Sequence, residues 1–534
     1  MSRLIVLSNR VKIPDDKPMA GGLAIALQDV LNGKSVVWMG WNGEIVERYN
    51  DGYSNEFSSI KQTALADADA PCANTFITYM TTALTTEQYQ HFYCGFANNV
   101  LWPLLHERVD LISQAPEDYA GYQTVNHLFA KQLKKIIEPD DVIWVHDYHF
   151  LSVAYHCRQL GVHNRIGFFF HIPFVSLPFW QSLDKSGELI RHLAHYDVLG
   201  TQTQQGRANC FAVCHYYLKD KVLEACFLNY LPINFLHDNH AASLHKSSDV
   251  QLLLDLDLKS RHSLRIDAYP IGINVTRIQQ QISHLSLQYD KANQNKKTIK
   301  SAAQQIIAVD RIDYSKGLLK RFSAYRDFLQ QNPLYQNQLT LLQIACPSRL
   351  NVPAYQRLYD DVKYTINDIN QQFLLSTCRN DISENENTIH SWQAINYCES
   401  VISHETLMTL FWQSDIGWVN SLKDGMNLVA KEYIAAQNPD NPGVLLLSCY
   451  AGAAEQMQAA VIIDPHKPKS MTAGLSIALT MPLSERQSRY QSLLQGLKQD
   501  NLQAWQQRFL EDLYDGKKRQ TDNLKPAAVQ MSDS

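Results

Sequence analysis

The chain has 534 residues, which is more than one ordinary hydrophobic core accommodates and predicts two or three domains. Apolar residues make up 45% of it and charged residues 19%, as in folded globular proteins, while a formal net charge of −5 argues against a nucleic-acid or anionic-membrane partner. The most apolar stretch, IGFFFHIPFVSLPFW, contains His171, Pro173 and Pro178, which a membrane-spanning helix rarely accepts. The ten cysteines follow no disulfide spacing, and the N-terminal MSRLIVLSNRVK reaches polar residues too soon for a signal peptide, so we expect a cytoplasmic protein.

Short apolar runs recur along the chain with helical patterns between them. In chain order they are residues 4–7, 36–40, 142–145, 166–170, 197–200, 306–309, 339–345, 416–419, 444–447 and 460–464. Continuous apolar strands that alternate with helices are typical of parallel sheets covered on both faces, so the predicted fold class is α/β. Residues from about 225 to 265 differ, because a polar loop is followed by two alternating segments that indicate a hairpin. YPIGI at 269–273 restarts the buried pattern and puts a predicted domain boundary near 272.

Polar residues gather where these apolar runs end, which is the edge at which open α/β sheets bind ligands. The first such group is SNR, with Arg10, followed by Gly21 and Gly22 in AGGL. Two glycines at the start of a helix let backbone N–H groups approach a phosphate closely. A plain tight turn explains the Gly-Gly pair equally well, and the spacing is not that of a dinucleotide-binding fingerprint.

The second group lies in WVHDYHF and HIPF, which follow two buried runs and carry His146, Asp147, His149 and His171. Such side chains bind metal, catalyse proton transfer or hydrogen-bond sugar hydroxyls. For His146 we favour a core histidine whose ring is satisfied by backbone groups, and Asp147 is the better functional candidate. The absence of a His-x3-His spacing argues against a zincin-type site.

One further cluster has a spacing that metal ligands use, namely Cys210, Cys214 and His215 in C-x3-C-H. No second ligand pair accompanies it, so we favour two buried thiols one helical turn apart over a zinc site. We therefore predict no metal site.

The third group is formed by DRIDYSKG and SLKDGMNLVAKEY, each of which follows an apolar run and precedes a helix. Arg311 and Lys316, together with the unpaired N–H groups of a helix start, are suited to hold an anion. Asp424 and Gly425 end the second run, and Glu432, about two helical turns further on, is suited to accept ribose hydroxyls.

The cations divide between the two halves of the chain. Arg10 belongs to the first half, whereas Arg311, Lys316 and Arg349 in ACPSR belong to the second. Two separate anionic groups in an interdomain cleft explain this division, and a nucleotide diphosphate with a second phosphorylated molecule fits it.

At this point the motifs resemble a known family. SNR, AGGL, MGWNGE, YCGFANNVLWP, IWVHDYH, IGFFFHIPF, YPIGI, VDRIDYSKG, IACPSR and LKDGMNLVAKEY, in this order, are similar to those of the trehalose-6-phosphate synthases, the family 20 retaining glycosyltransferases, over roughly residues 3–515 with gaps. The resemblance implies two Rossmann-like domains facing across a cleft, the glycosyltransferase B-type fold. Residues 1–272 would bind the acceptor and 273–495 the nucleotide sugar, with 496–515 as a helix crossing back to the first domain and 516–534 as a disordered tail.

The resemblance also implies a reaction and a set of site residues. Glucose would pass from UDP-glucose to glucose 6-phosphate with retention, giving α,α-trehalose 6-phosphate and UDP, without a metal or other cofactor. The acceptor would be bound by Arg10, Tyr93, Trp102, Asp147 and Arg349. The donor would be bound by Gly21, Gly22, His171, Arg311, Lys316, Ile402, Asp424, Gly425, Met426, Asn427, Leu428, Val429, Ala430, Lys431 and Glu432. The catalytic set would be His171, Asp147, Arg311, Lys316 and Asp424, with Trp102 and Ile172 selecting the anomer.

The sequence differs from the usual family motifs at a few positions, and these differences leave alternative functions open. Val175 follows HIPF where the family has proline, Lys423 precedes Asp424 where it has arginine, and GTQTQQGRANC differs from GFQTENDR. A glucosylglycerol-phosphate synthase using glycerol 3-phosphate is one alternative, and a non-catalytic sugar-phosphate-sensing homologue is another. The choice among UDP, GDP and ADP stays open, as does a homo-oligomer (dimer or tetramer), and a separate phosphatase is expected to act on the product.

Overall fold

The computed structural model describes residues 3–11, 13, 36–47, 57–64, 76–227, 250–256, 261–283, 304–380 and 392–523. Two compact units are formed by these residues. The first contains the described residues up to Tyr269 and those from Trp505 onward, and the second contains the described residues from Pro270 to Ala504. The domain boundaries predicted at 272 and 495 stay predictions.

The first unit is built on one twisted sheet. Its described strands are β1 (Leu4–Arg10), β2 (Val36–Val46), β3 (Ser59–Ala64), β4 (Phe76–Thr85), β5 (Val142–His146), β6 (Ile166–Phe169), β7 (Val198–Thr201), β8 (Val222–Phe227), β9 (Val250–Leu254) and β10 (His262–Ala268). They lie in the order β3-β4-β2-β1-β5-β6-β7-β10-β9-β8. The inner pairs from β4 to β10 are parallel, and β3, β9 and β8 pair antiparallel at the two sides. The central strands are apolar on both faces because helices cover both faces of a parallel sheet.

Helices cover this sheet between its strands. Their bounds are Thr86–Gln88, Tyr89–Leu101, Trp102–Leu105, Asp118–Ile136, Val153–Gln159, Leu177–Gln181, Ser186–Leu193 and Gln204–Leu218, with short 3₁₀ turns at Val109–Leu111 and Tyr148–Phe150. Tyr89–Leu101 is a π-helix rather than an α-helix. Such i→i+5 segments are rare and frequently occur at functional sites.

The C-terminal helix, Leu502–Asn523, packs on this same sheet through its residues from Trp505 onward. The rings of Trp505 and Phe509 lie 5.1 and 5.0 Å from that of Trp144 in β5. A side chain at Gly167 would come within 2.8 Å of Phe509, so the helix approaches β6 closely because glycine stands there.

The second unit contains a six-stranded sheet in which every described pair is parallel. Its strands are β11 (Gln304–Arg311), β12 (Leu339–Cys346), β13 (Ile395–Cys398), β14 (Ile416–Val419), β15 (Val444–Ser448) and β16 (Val461–Ile463), in the order β13-β12-β11-β14-β15-β16. The helices are 275–283, Leu318–Gln331, Pro353–Asn380, His404–Gln413, Leu428–Ala435, Pro468–Thr480 and Leu483–Gln499, with 3₁₀ turns at Tyr314–Lys316, Pro333–Tyr335 and Gly452–Glu455. Phe322, Leu341, Trp418 and Leu446 belong to a core that joins the sheet to these helices.

The α/β fold class is confirmed, since each apolar run contributes to a strand of one of the two sheets. The predicted hairpin is β9 with β10, which pair antiparallel. One expectation was wrong: residues 516–523 continue the last helix instead of beginning a disordered tail, and residues 524–534 lie outside the described part of the chain. None of the described helices is both long and apolar enough to cross a membrane.

Candidate active site

The carboxyl ends of β1, β5 and β6 gather the predicted site residues of the first unit. Arg10 ends β1 and is exposed, Asp147 follows β5, and His171 follows β6 by two residues; both of the latter are half-buried. Because these three strands are parallel neighbours, their ends lie along one edge of the sheet.

Asp147 has a strained backbone. Its φ of 73° and ψ of 166° fall in a region that is essentially restricted to glycine. Its N–H donates to Phe169 O at 2.9 Å, and its Oδ1 accepts from the backbone N–H of His171 at 3.3 Å. The strained turn therefore fixes the Asp147 carboxylate beside the start of the HIPF loop.

His146 and His171 form a direct ring-to-ring contact. Nδ1 of His146 lies 2.9 Å from Nε2 of His171, and the two rings are stacked with centroids 5.2 Å apart. Burial lowers the pKa of His171 to about 3, and burial together with His171 holds the pKa of His146 well below its usual value, so both rings are neutral at pH 7. The expectation that backbone groups satisfy His146 was wrong, because its Nδ1 is paired with a second histidine.

Arg10 contacts Trp41, which belongs to a cluster of aromatic side chains. Its guanidinium is 5.2 Å from the ring centroid of Trp41, which packs in turn on Tyr93 at 5.3 Å. Tyr93 is half-buried and stacks on His149, with centroids 6.0 Å apart. This cation–π contact with Trp41 restrains the exposed guanidinium of Arg10.

The two residues predicted to select the anomer are Trp102, directly after the π-helix, and Ile172, in the HIPF loop. Trp102 follows directly on the π-helix, is 4% exposed, and its ring lies 4.1 Å from that of His106. Ile172 is 7% exposed. Both side chains are thus packed inside the first unit rather than displayed on its surface.

In the second unit, two loops carry the donor motifs and are bound to each other. The loop of DRIDYSKG turns at Gly317, whose φ is 64° and whose missing side chain leaves room for Asn420 O. Asn420 Nδ2 donates to Gly317 O at 3.0 Å, and Leu422 N donates to Ser315 O at 2.6 Å. Hydrogen bonds therefore join the loop after β11 to the loop after β14 at the edge of the sheet.

Asp424 is the centre of this element. Its Oδ2 accepts from Lys316 Nζ at 2.5 Å, from Ser421 Oγ at 3.0 Å and from Asn427 Nδ2 at 3.1 Å. Asn427 has a φ of 86° and caps the helix Leu428–Ala435, with its Oδ1 accepting from Ala430 N. One carboxylate thereby joins the cation of the first loop to the helix start of the second.

Arg349 and Arg311 supply the other cations of this edge. Arg349, with a φ of 53°, donates from Nη1 to the hydroxyl of Tyr355 at 2.6 Å, and that hydroxyl donates to Oδ2 of the buried Asp313 at 3.0 Å. Asp313 in turn accepts from Ser315 N and shapes the DRIDYSKG loop. Arg311, at the end of β11, is exposed.

Two neighbouring residues of the helix Leu428–Ala435, Glu432 and Lys431, differ in burial and in their partners. Glu432 is half-buried, and its Oε1 lies 3.7 Å from Nε2 of His404. Lys431 is fully buried, and its Nζ donates to Ile271 O and to Gln456 Oε1, both at 2.7 Å. Ile402, half-buried, lies just before the helix that begins at His404.

The predicted residues thus form two groups, one in each unit. The first unit holds Arg10, Tyr93, Trp102, Asp147, His171 and Ile172, and the second holds Arg311, Lys316, Arg349, Ile402 and Asp424 to Glu432. Gly21 and Gly22 lie outside the described residues. In the described ranges no group of three or more His, Cys, Asp or Glu side chains is arranged to hold a metal ion.

Sequence reasoning missed several supporting residues. Trp41, Tyr355 and Asp313 hold predicted cations in place, and Ser421 binds Asp424. Asp313, inside DRIDYSKG, was the one with a usable signal, since an aspartate directly before a short helical turn is a typical cap.

Comparison with known proteins gives this arrangement a family. The sequence profile of "Glycosyltransferase family 20" matches residues 8–515. The chain belongs to this family. A relative named "Trehalose-6-phosphate synthase", from Sodalis glossinidius (strain morsitans), is 35% identical over 524 residues, covering 96% of each chain.

Solved structures of this family also match. An "alpha,alpha-trehalose-phosphate synthase (UDP-forming) from Burkholderia xenovorans in complex with glucose-6-phosphate" is 32% identical with a TM-score of 0.77, covering 96% of this chain and 100% of the other. A structure described as "Trehalose-6-phosphate from E. coli bound with UDP-2-fluoro glucose" is 33% identical with a TM-score of 0.76, covering 96% and 99%.

Proposed function

We propose that this family 20 glycosyltransferase transfers glucose from UDP-glucose to glucose 6-phosphate, giving α,α-trehalose 6-phosphate and UDP. The observation that carries the proposal is the joined pair of loops in the second unit, where Lys316 and Asp424 meet beside the start of the helix Leu428–Ala435. The relatives whose names state glucose-6-phosphate and UDP-2-fluoro glucose as ligands support both substrates.

The second unit binds the donor in this proposal. Arg311 and Lys316 hold the diphosphate, whose charge grows as the glycosidic bond breaks, so they stabilise the leaving group more in the transition state than in the ground state. Asp424 accepts a hydrogen bond from a glucose hydroxyl, and Glu432 accepts those of the ribose. Lys316 and Asp424 bind each other, so each side chain restrains the orientation of the other.

The first unit supplies most of the acceptor contacts. Arg10 binds the phosphate of glucose 6-phosphate with help from Tyr93, and Asp147 binds its sugar ring. His171 hydrogen-bonds the donor glucose. Arg349, whose Nη1 donates to the hydroxyl of Tyr355, is also proposed to bind the phosphate.

We also propose that the reaction retains the configuration at the anomeric carbon and needs no metal. Retention follows a same-face substitution in which a donor phosphate oxygen takes the proton of the incoming hydroxyl, unlike the carboxylate nucleophile of retaining glycosidases. The three donors on Oδ2 of Asp424 suit a hydrogen-bonding role better than a nucleophilic one. Arg311 and Lys316 supply the positive charge that a divalent cation supplies in other transferases.

The cellular setting is proposed on the same basis. The enzyme acts in the cytoplasm, as a homo-oligomer and without a nucleic-acid partner, and a separate phosphatase removes the phosphate of its product.

The test is UDP release from UDP-glucose in EDTA, with glucose 6-phosphate or glycerol 3-phosphate as acceptor and the product identified by mass. Turnover with glucose 6-phosphate alone is the expected result. Turnover with glycerol 3-phosphate alone would assign the chain to the other reaction. A lack of UDP release with every nucleotide-glucose donor, with or without metal, would contradict catalysis altogether.

A further inference from the structure

The contact between His146 and His171 determines which ring nitrogen of His171 carries a proton. The two ring nitrogens are 2.9 Å apart, so one of them must carry a hydrogen and the other must accept it. His146 is fully buried between Trp144 and Phe169, with ring centroids 4.5 and 6.5 Å away. Neither histidine ring forms another hydrogen bond within the described residues. Which of the two nitrogens donates in this contact therefore decides whether the second nitrogen of each ring carries a proton.

Two arrangements of the protons satisfy the contact when both rings are neutral. If His171 donates from Nε2, the proton of His146 lies on its own Nε2, which is buried and has no acceptor among the described residues. If His146 donates from Nδ1, its Nε2 is a bare lone pair and the proton of His171 lies on Nδ1. Buried N–H groups without an acceptor are rarer in proteins than under-satisfied acceptors, which favours the second arrangement.

We propose that His146 is a positioning residue that donates from Nδ1 to His171 and so holds His171 as the Nδ1–H tautomer, a hydrogen-bond donor toward the substrate sugar. This inference rests on the proposed function, because it assigns the sense of the hydrogen bond between His171 and the donor glucose. The low pKa of both rings supports it, because each neutral ring carries one proton, so the nitrogen bonded in this contact decides where the other ring's proton lies.

The consequence is a defined chemical role for His171. Its Nε2 is occupied by His146, so Nδ1 is the ring nitrogen that remains for a bound ligand. A protonated Nδ1 donates to the oxygen of a sugar hydroxyl, and that hydroxyl keeps its own hydrogen for another acceptor. The neutral ring does not act as an acid, because an imidazolium would be desolvated next to a second histidine.

Nitrogen NMR of the full-length protein, labelled with ¹⁵N in histidine, tests the tautomer directly. Long-range proton–nitrogen spectra distinguish a protonated ring nitrogen from a bare one, and the resonances of His171 are those lost in His171→Gln. The expected spectrum has a protonated Nδ1 and a bare Nε2 on His171. A protonated Nε2, or two protonated nitrogens, would overturn the proposal.

Variants of His146 test the positioning role. Asparagine places its amide nitrogen near the position of histidine Nδ1, so His146→Asn is expected to keep the His171 tautomer and to keep kcat/KM for UDP-glucose within about threefold. His146→Leu removes the donor and is expected to mix the tautomers and lower kcat/KM about tenfold. Equal losses in both variants with an unchanged His171 spectrum would contradict a positioning role.

A matched control is His195→Asn, in which another buried ring of the first unit, bonded through Nδ1 to Arg191 O, is replaced. The His171 spectrum should not change in this variant. The NMR result is separate from the proposed function: the predicted tautomer in a protein that releases no UDP with any acceptor would contradict the function and leave the His146–His171 assignment standing.

Discussion

At the scale of single residues, Lys316 tests the assignment of the donor to the second unit. Lys316→Ala removes one charge-assisted contact to the diphosphate, so we expect UDP-glucose affinity to fall by roughly 10- to 100-fold. Glucose 6-phosphate affinity should be nearly unchanged. Calorimetric titration of each ligand measures both affinities. The control is Lys320→Ala, which changes a nearby half-buried lysine that contacts His466.

Equal losses of affinity for both ligands in Lys316→Ala would contradict the division of the binding residues. Arg10→Ala should give the opposite pattern, with glucose 6-phosphate affinity reduced and UDP-glucose affinity retained. Unchanged glucose 6-phosphate affinity in that variant would remove Arg10 from the acceptor site. Arg108→Ala, which breaks an exposed ion pair with Asp110, is the matched control.

Asp147 tests whether backbone strain is retained for function. Its glycine-type φ and ψ cost about 1–3 kcal/mol in other residues. Asp147→Gly relieves this strain, whereas Asp147→Ala keeps it. The free energy of unfolding of the glycine variant should therefore exceed that of the alanine variant by about 1 kcal/mol, as measured by urea denaturation. Both should lose turnover. A less stable glycine variant would show that the conformation is not strained.

At the scale of elements, Lys431 links the helix Leu428–Ala435 to two other segments of the second unit. Its Nζ donates to Ile271 O and to Gln456 Oε1, and Gln456 donates to Asp500 Oδ2 at 2.8 Å. Lys431→Met removes the donor of both hydrogen bonds, one of which is buried, and should lower the free energy of unfolding by about 1–3 kcal/mol. Urea denaturation measures this, with the exposed Lys498→Met as a control that should change little; a stable Lys431→Met would contradict the role.

Much of this element structure could be predicted from the sequence. Apolar runs such as VIWV and VLLL are strands because both faces of a parallel sheet are covered, and polar motifs follow them at the ligand-binding edge. The strand SIKQTA at 59–64 was missed because it lies at the side of the sheet, where residues 59–62 are exposed and no apolar run is needed. The π-helix was missed because its hydrogen bonds leave no periodic signal of their own.

The site was only partly predictable for a related reason. Motif positions identified Lys316 and Asp424, but their contact joins residues 108 positions apart and depends on the order of the strands. The pairing of His146 with His171 likewise depends on β5 and β6 being neighbours. The residue type of Asp147 does not reveal its strained φ, because aspartate is also common in ordinary turns.

At the scale of the whole molecule, buried histidines predict how stability depends on pH. Burial lowers the pKa of His156 and His195 to about 4, and of His171 and His192 to about 3, against 6.5 for an exposed ring. The unfolded chain therefore binds more protons than the folded one below pH 6.5. Stability should be complete above pH 6.5 and fall as the pH drops toward 4.

Urea denaturation between pH 7.5 and 4.5 measures this dependence. His192→Asn removes one of the titrating rings and should make the slope shallower by up to about 1.4 kcal/mol per pH unit. Stability that does not change between pH 7 and 5 would contradict burial of these histidines in the neutral form.

The most direct test of the whole proposal is the anomeric configuration of the product. The enzyme would be supplied with glucose 6-phosphate and UDP-glucose labelled with ¹³C at C1 of the glucose, in EDTA, and the product examined by carbon and proton NMR. The expected product is α,α-trehalose 6-phosphate in which the transferred, labelled carbon is α. A β configuration at that carbon would contradict retention, and the absence of a labelled disaccharide phosphate would contradict the proposed transfer itself.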